Sequence, residues 1–300
     1  MSDKPVLKKS DFQSDQAIRW CPGCGDYAIL AQTQKIFPEI TEKKEDTVFI
    51  SGIGCSSRFP YYMNTYGFHT IHGRAPTVAS GLKLANPDLS VWMVTGDGDG
   101  FSIGGNHLIH LLRRNFNINI MLFNNRIYGL TKGQYSPTSE QGKVTYSTPS
   151  GSLDYPFKPT QLALGAQGSF VAKTIDKELK HLQSMIRRAH DHNGTSFIEI
   201  YQNCNIFNDN AFEEYTSADK FDNVIEVKHG EPMVFSKGTK GIKLDGFKAT
   251  VVDMEKHSLD DLLVHDETNL DLAPVSYTHL RAHETPEHRV CRIRREKKKG

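Results

Sequence analysis

Cysteines and a segment that alternates glycine with aspartate are the parts of this sequence whose residue types could do chemistry. Thiolates bind soft metal centres, and four of the cysteines are candidates for that role: Cys21, Cys24, Cys55 and Cys204. Residues 96–100 read Gly-Asp-Gly-Asp-Gly, and Asn124 and Asn125 follow. Carboxylate and amide oxygens bind Mg²⁺, which accompanies phosphate groups in many sites. The sequence therefore holds a candidate soft-metal centre and a candidate site for Mg²⁺ and a diphosphate.

Asp97 and Asn125 are the candidate side-chain ligands of the magnesium ion. Each is expected where a buried strand ends, and the main-chain carbonyl of Ile127 can complete the set. Gly96 and Gly98 let the backbone turn tightly and approach a phosphate without an intervening Cβ. The charge of the diphosphate would be met by the cation and by backbone N–H groups.

Apolar runs that alternate with helical periodicity indicate the elements that would position these residues. We predict strands at 47–51, 90–95, 118–123, 169–173 and 196–201, and helices at 26–37, 75–85, 104–114 and 176–190. Continuous apolar strands that alternate with helices favour an α/β fold, with a parallel sheet covered by helices on both faces. Ligands bind such sheets at the carboxyl ends of the strands. Such ends are where Gly52–Cys55, Gly96–Gly100, Asn124–Asn125 and Cys204 fall.

The composition is that of an ordinary soluble protein, with 38% hydrophobic residues, 24% charged residues and a formal net charge of +1. No apolar run approaches the length of a membrane span, and the N-terminal residues lack the apolar core of a secretory signal. We therefore expect a cytoplasmic protein with no membrane partner. The charge pattern gives no indication of nucleic-acid binding. The cysteines indicate metal binding or free thiols rather than a disulfide framework.

The Gly-Asp-Gly segment and the Asn-Asn pair, with 25 residues between Gly98 and Asn124, resemble the signature of thiamine-diphosphate enzymes. The resemblance narrows to the beta subunits of 2-oxoacid:ferredoxin oxidoreductases and spans roughly residues 15–215. The segments that carry it are Trp20-Cys-Pro-Gly-Cys-Gly, Gly52-Ile-Gly-Cys-Ser, His72-Gly-Arg, Gly96-Asp-Gly-Asp-Gly, Tyr128-Gly-Leu-Thr-Lys-Gly-Gln and Cys204. It implies a parallel-sheet thiamine-diphosphate-binding domain of the diphosphate type.

The resemblance also implies which residues contact the cofactors. In the family four such cysteines hold one [4Fe–4S] cluster, which gives that role to Cys21, Cys24, Cys55 and Cys204. The residues expected to bind thiamine diphosphate are Ile53, Gly54, Cys55, Ser56, His72, Gly98, Asp99, Gly129 and Leu130. Those expected to bind Mg²⁺ are Asp97, Asn125 and Ile127. Because Cys55 lies in a turn that also touches the cofactor, one loop would place the cluster and the thiamine within short electron-transfer reach.

Two other interpretations of the cysteines remain open. Four thiolates suit a cubane, and the two-residue gap between Cys21 and Cys24 suits adjacent iron corners. Zinc also binds four cysteines, but structural zinc sites usually pair two short-gap motifs, and Cys55 and Cys204 are singletons. The Cys-Pro-Gly-Cys segment also fits a thioredoxin-like redox pair.

Basic residues near the cofactor segments are candidates for substrate binding. Lys132 lies on the loop after the cofactor strand, and we expect its ammonium group to pair with the distal carboxylate of 2-oxoglutarate; a solvated loop lysine is the alternative. Leu130 would line the cofactor site on the side of the thiazolium ring, or it would belong to the hydrophobic core. Arg58 and Arg74 would bind the 2-oxo carboxylate or the phosphates, with surface salt bridges as the alternative. The candidate catalytic set is Lys132, Arg58 and Leu130.

The reaction that the resemblance implies is oxidative decarboxylation, in which a 2-oxo acid, CoA and oxidised ferredoxin give acyl-CoA, CO₂ and reduced ferredoxin. Thiamine enzymes use a glutamate at the aminopyrimidine ring, and no such residue can be placed in this chain, so we expect an alpha subunit to carry it on a pyrimidine-side domain. No second cluster motif is present, so the electrons would leave to an external ferredoxin. Pyruvate or a branched 2-oxo acid is the nearest alternative substrate. A zinc-stabilised binding subunit without catalysis is the alternative of a different class.

The chain is predicted to divide into four parts. These are an N-terminal extension (1–19), a thiamine-diphosphate and iron–sulfur domain (20–215), a C-terminal arm packing on a neighbour (216–273) and a tail (274–300). The tail is rich in arginine and lysine, and residues 275–285 resemble translated sequencing adaptor, so we expect it to be non-native. A solvated basic tail is the alternative. Cys291 would then not be a ligand.

Overall fold

A parallel sheet forms the centre of the computed structural model, which describes residues 6–218, 220–246 and 248–269 and the backbone of 293–294. Its strands are β1 (Thr47–Ser51), β2 (Tyr66–His69), β3 (Ser90–Gly96), β4 (Ile118–Asn124), β5 (Phe170–Ile175) and β6 (Ser196–Tyr201). These strands are parallel and have the order β5-β6-β4-β3-β1-β2. The backbone of Ile293–Arg294 lies antiparallel beside β5.

Helices cover both faces of this sheet. They are α1 (Asp26–Ile40), α2 (Phe59–Tyr62), α3 (Ala75–Ala85), α4 (Asp97–Phe101), α5 (Gly105–Arg114), α6 (Pro159–Gly165), α7 (Leu179–Asp191) and α8 (Lys220–Asn223). Successive residues of a strand point to opposite faces. In β4, Met121 and Phe123 pack with α1 and α7, whereas Ile120 and Leu122 pack with α3, α5 and α6. The predicted α/β class, a parallel sheet between two helical layers, is confirmed.

The predicted strands and helices all occur, with ends shifted by at most a few residues. Strand β2 was not predicted, because all four of its residues are exposed and so carry no buried apolar pattern. The short helix α4 was not predicted either. It begins at Asp97, where β3 ends, so the glycine-rich turn runs directly into a helix.

The segment predicted as a C-terminal arm contains a small lobe with its own sheet. The strands β7 (Val234–Phe235), β8 (Lys240–Asp245) and β9 (Lys248–Asp253) are antiparallel. The lobe buries a separate apolar cluster, against which Leu164 of α6 packs. Arg188 of α7 donates a hydrogen bond to Glu267 at 2.7 Å. This contact connects the end of the lobe to a helix that covers the main sheet. Its packing on a neighbour stays a prediction, and the predicted tail (274–300) lies outside the described residues apart from the backbone of 293–294.

No helix in the described part of the chain combines the length and the hydropathy that crossing a membrane requires.

His265 in this lobe gives the stability of the fold a testable dependence on pH. Its side chain is 5% exposed, its Nε2 has no hydrogen-bond partner among the described residues, and burial lowers its pKa. The unfolded chain takes up a proton near pH 6.5, about the ordinary pKa of histidine, while the folded chain stays neutral. The free energy of unfolding should therefore fall as the pH drops below about 6.5.

His265→Gln should remove part of this slope in urea unfolding measured from neutral to mildly acidic pH. His110→Gln, at an exposed position on α5, is the matched control and should leave the slope as it is. Parallel pH profiles for wild type and His265→Gln would contradict the expectation.

Candidate functional site

Loops at the carboxyl ends of β1, β3 and β4 surround one cavity of about 200 Å³. It is lined by every residue that the sequence assigned to the diphosphate cofactor and to Mg²⁺: Ile53, Gly54, Cys55, Ser56, His72, Asp97, Gly98, Asp99, Asn125, Ile127, Gly129 and Leu130. Four further residues line it: Gly96, Phe123, Tyr128 and Thr131. The topology of the sheet thus brings together residues that are far apart in sequence.

Asp97 is buried at the start of α4 and is held by hydroxyl donors. Its Oδ2 accepts hydrogen bonds from Ser136 Oγ at 2.5 Å and from Thr138 Oγ1 at 2.7 Å, and the backbone N–H of Asn125 also donates to the carboxylate. Burial raises the pKa of Asp97, and these donors oppose the rise. Asp97 and Asn125 therefore meet at the ends of neighbouring strands.

The Asn125 side chain has a fixed orientation. Its Oδ1 accepts the backbone N–H of Ile127 at 3.1 Å, and its Nδ2 donates to Gln202 Oε1 at 2.9 Å. The amide oxygen is therefore on the side of Ile127, whose carbonyl is the third expected ligand. A carboxylate, an amide oxygen and a backbone carbonyl are the hard oxygen donors that suit Mg²⁺.

Two glycines shape the wall of the cavity. A Cβ at Gly98 would collide with the ring of Tyr128, whose hydroxyl donates to the Gly98 carbonyl at 2.9 Å. Gly54 has φ of +129° and no atom within 4 Å of an added Cβ, so its backbone adopts a conformation that favours glycine and borders open space. Gly98 is therefore required by the Tyr128 ring, and the open space beside Gly54 suits a diphosphate that approaches the backbone closely.

Asp99 holds the walls of the cavity together. Its Oδ1 accepts from Ile53 N at 3.0 Å, His72 Nδ1 at 2.8 Å and Gly73 N at 2.7 Å, and its Oδ2 accepts from Thr95 Oγ1 at 2.7 Å. All of these donors belong to the protein, and two of the bonded segments are the loops that follow β1 and β2. The buried carboxylate therefore fixes the positions of both loops. His72 lines the cavity, and the hydrogen bond from its Nδ1 to Asp99 fixes the orientation of the ring.

A buried ion pair that the sequence did not indicate lies behind Asp97. Lys173 Nζ and Glu199 Oε2 are 3.2 Å apart, with side chains 2% and 1% exposed. Glu199 Oε1 accepts from Asn124 Nδ2 at 2.8 Å, and Thr138 Oγ1 lies 2.9 Å from Asn124 Oδ1. The polar contacts thus continue from the ion pair through Asn124 and Thr138 to Asp97. A buried ion pair adds little net stability but favours one arrangement of its partners.

The four described cysteines are free thiols and lie together. An added Cβ at Gly129 would lie 3.5 Å from Cys204 Sγ and 3.7 Å from Cys55 Sγ. Cys24 interacts electrostatically with both of these thiols, and Cys55 also with Cys21. Cys204 therefore joins the three cysteines of the N-terminal half, beside the cavity that Cys55 lines. Cys291 lies outside the described residues.

The surroundings of these thiols favour a positively charged metal centre. Burial raises the pKa of Cys55 to about 12, with Asp26 the next cause, and raises that of Cys24 further. Burial also raises the pKa of Asp26 to about 7, and neither of its carboxylate oxygens accepts a hydrogen bond from a described N–H or O–H. Thiolates at this position therefore require a compensating positive charge, which a bound metal centre would supply.

The described thiols are not arranged around a single metal ion. Among the described residues no three histidine, cysteine or acidic side chains enclose one ion. A tetrahedral zinc site with Zn–S bonds of about 2.3 Å needs sulfur atoms about 3.8 Å apart. A four-iron cluster is larger than one ion and does not require its cysteines to enclose a single point.

The residues expected to bind substrate lie in different places. Leu130 is 45% exposed and lines both the first cavity and a neighbouring one of about 380 Å³, which Arg58 also lines. Arg74 donates to the Ile103 carbonyl at 3.5 Å and lines neither cavity. Lys132 is exposed, with φ of +73°, on the turn that presents Leu130, and it too lines neither cavity.

The comparisons with known proteins agree on one family. The family model described as thiamine pyrophosphate enzyme, C-terminal TPP binding domain, matches residues 52–200. The chain is 57% identical to the 2-oxoglutarate oxidoreductase subunit KorB of Mycobacterium tuberculosis over 88% of this chain and 71% of that protein. It is 44% identical to the beta subunit of 2-oxoacid:ferredoxin oxidoreductase 1 of Aeropyrum pernix, over 67% of this chain but only 63% of that protein's length.

One solved structure is similar across nearly the whole chain. It is a 2-oxoglutarate:ferredoxin oxidoreductase from Magnetococcus marinus with 2-oxoglutarate, coenzyme A and succinyl-CoA bound. The match has a TM-score of 0.78 and 32% sequence identity and covers 99% of this chain and 88% of that chain.

Asp99→Asn is expected to weaken the structure around the cavity. The substitution keeps the shape of the side chain but replaces the charged acceptor, so the free energy of unfolding should fall by about 2 kcal/mol. Urea unfolding measures the loss, and Asp88→Asn at an exposed position serves as the control. Equal stabilities of the two variants would show that the Asp99 contacts do not hold these loops.

Proposed function

The chain belongs to the beta subunits of the 2-oxoacid:ferredoxin oxidoreductases, and from this premise we propose that it carries the cofactor site for oxidative decarboxylation of 2-oxoglutarate. The overall reaction converts the 2-oxo acid and CoA to acyl-CoA and CO₂ and passes the electrons to ferredoxin. The observation that supports this most directly is the position of four free thiols beside a cavity whose wall carries the Mg²⁺ donor set.

Thiamine diphosphate, when bound, supplies the reactive carbon and the electron sink for decarboxylation. The chain's own part is to bind and orient. Asp97, Asn125 and the Ile127 carbonyl would hold Mg²⁺, while the backbone at Gly54 and Gly98 receives the diphosphate. Asp99 fixes the two loops that border the site. The burial of Asp97 and Asp99 keeps water from these carboxylates and strengthens their electrostatic effect on the charge that develops.

Cys21, Cys24, Cys55 and Cys204 would hold one [4Fe–4S] cluster. Because Cys55 also lines the cofactor cavity, the cluster would receive electrons over a short distance. Cys21 is exposed, which places one edge of the thiol set at the surface and suits electron transfer to an external ferredoxin. The proposed location of this chemistry is the cytoplasm, without membrane or nucleic-acid partners.

A partner subunit would complete the site. No glutamate occurs among the described residues that line the cavity, so the group that hydrogen-bonds the aminopyrimidine ring would come from an alpha subunit. Leu130 on the cavity wall is 45% exposed, and Ile71, which precedes the cavity residue His72 in the chain, is 70% exposed. Exposed apolar side chains of this kind are common at subunit contacts.

Lys132 would select the substrate. The turn 128–134 places Leu130 and Thr131 on the cavity wall, and the exposed ammonium group of Lys132 extends from the same turn. A lysine there can pair with the distal carboxylate of 2-oxoglutarate, which pyruvate lacks. Arg58, on the neighbouring cavity, would bind the 2-oxo carboxylate or a phosphate.

Purification of the complex co-expressed with its alpha subunit tests the proposed function. We expect about four iron and four sulfide per chain, bound thiamine diphosphate, and CoA-dependent reduction of methyl viologen by 2-oxoglutarate. The isolated chain should be inactive. Cys204→Ala should lose iron and Cys291→Ala should keep it. Zinc without sulfide in an inactive complex would instead support a binding subunit.

Lys132→Ala should raise KM for 2-oxoglutarate at least about tenfold, which corresponds to about 1.4 kcal/mol of lost ion pairing. The KM for pyruvate or a branched 2-oxo acid should change little, because neither carries the second carboxylate. Lys132→Arg should retain most of the preference. Lys35→Ala, at an exposed position on α1, is the control. A similar rise in KM for all substrates would remove Lys132 from the substrate site.

A further inference from the structure

Gln202 follows β6 directly and is 1% exposed, and its side chain contacts both candidate centres. Its Oε1 accepts a hydrogen bond from Asn125 Nδ2 at 2.9 Å. Its Nε2 donates to Cys24 Sγ at 3.3 Å and to the Asn203 carbonyl at 2.5 Å. One amide thus joins an expected Mg²⁺ ligand to an expected cluster ligand.

The orientation of this amide is determined by its partners. Exchanging its oxygen and nitrogen would turn Oε1 toward a sulfur and a carbonyl oxygen, neither of which can donate in the ligated state. It would also set the Gln202 NH₂ against the Asn125 NH₂. All polar atoms of the buried side chain are satisfied in the observed orientation only. The N–H that faces Cys24 is therefore fixed.

We propose that Gln202 is a positioning residue shared by the two centres, which raises the reduction potential of the cluster through Cys24 and holds Asn125 with its oxygen toward Mg²⁺. The inference rests on the proposed function. When the cluster accepts one electron, it gains one negative charge, which spreads onto its cysteine sulfurs. An N–H···S hydrogen bond stabilises that charge and makes reduction easier.

Asp26 acts on the same sulfur in the opposite direction. It is buried beside Cys24 and raises the energy of negative charge there, so a donor at Cys24 offsets a nearby acidic group. The backbone N–H of Asp26 also donates to Cys24. Gln202 differs from that donor because its other end contacts Asn125.

This shared contact predicts a coupling between the sites. Mg²⁺ on the Asn125 oxygen would polarise the Asn125 N–H, which strengthens the bond to Gln202 and, through it, the bond to Cys24, because linked hydrogen bonds reinforce one another in a buried site. Binding of thiamine diphosphate with Mg²⁺ should therefore shift the cluster's midpoint potential to a less negative value. The coupling is reciprocal, so reduction of the cluster should tighten cofactor binding.

Two substitutions in the co-expressed complex separate the two contacts. Gln202→Leu removes both, so the midpoint potential should become more negative and the affinity for thiamine diphosphate with Mg²⁺ should fall about tenfold. Gln202→Glu, studied in alkaline buffer, keeps an oxygen for Asn125 but replaces the N–H with negative charge. Its potential should fall further than that of Gln202→Leu, while its cofactor affinity stays within about twofold of wild type.

The measurements are an EPR-monitored redox titration, a calorimetric titration of the cofactor-depleted complex, and iron and sulfide analysis. Gln34→Leu is the control, because Gln34 on α1 is also a buried amide but its side chain contacts Gln13 and the Tyr62 carbonyl rather than a proposed ligand of either centre. It should leave both quantities unchanged.

Wild-type potentials in both Gln202 variants, with full iron and sulfide, would overturn the inference. If the variants lose the cluster, the test is made on the wild-type complex. A cluster midpoint potential that is the same with and without thiamine diphosphate and Mg²⁺ would also overturn the inference. Absence of iron and sulfide from the wild-type complex would count against the proposed function itself.

Discussion

The carboxylate of Asp99 is the contact on which the geometry of the site depends. It lies out of water at the start of α4 and receives hydrogen bonds from the loops after β1 and β2 and from the end of β3. A buried anion without such donors would be strongly unfavourable, so the donors and the carboxylate determine one another's positions. The loop held at Ile53 continues to Cys55, and the same contact therefore orients both the cofactor wall and one of the thiols.

Negative charge accumulates at this end of the sheet. Asp97, Asp26 and Asp176 are buried there beside the thiols, and burial raises the pKa of each carboxyl group. The buried ammonium group of Lys173 is already paired with Glu199. Such an arrangement suits a protein whose metal centres supply the positive charge, and this is why the two proposed cofactors fit the same region.

The fold and the residues of the cavity could be predicted because both follow from simple patterns. Buried parallel strands are continuous apolar runs, and their carboxyl ends must meet at one edge of the sheet. Lys173 and Glu199 could not be assigned, because their pairing depends on the register between β5 and β6. Ser136 and Thr138 lie in a long loop without periodicity, and Gln202 belongs to no motif. The antiparallel lobe was missed because β8 and β9 are only partly buried and so carry no continuous apolar run.

Strand β2 lies at one edge of the sheet and, among the described strands, pairs only with β1. Tyr66 and Phe68 on it are 64% and 46% exposed. An aromatic edge strand of this kind is a template to which further strands can add. We therefore expect this edge to promote self-association when the chain is produced alone, and burying it would be a benefit of assembly that is separate from catalysis.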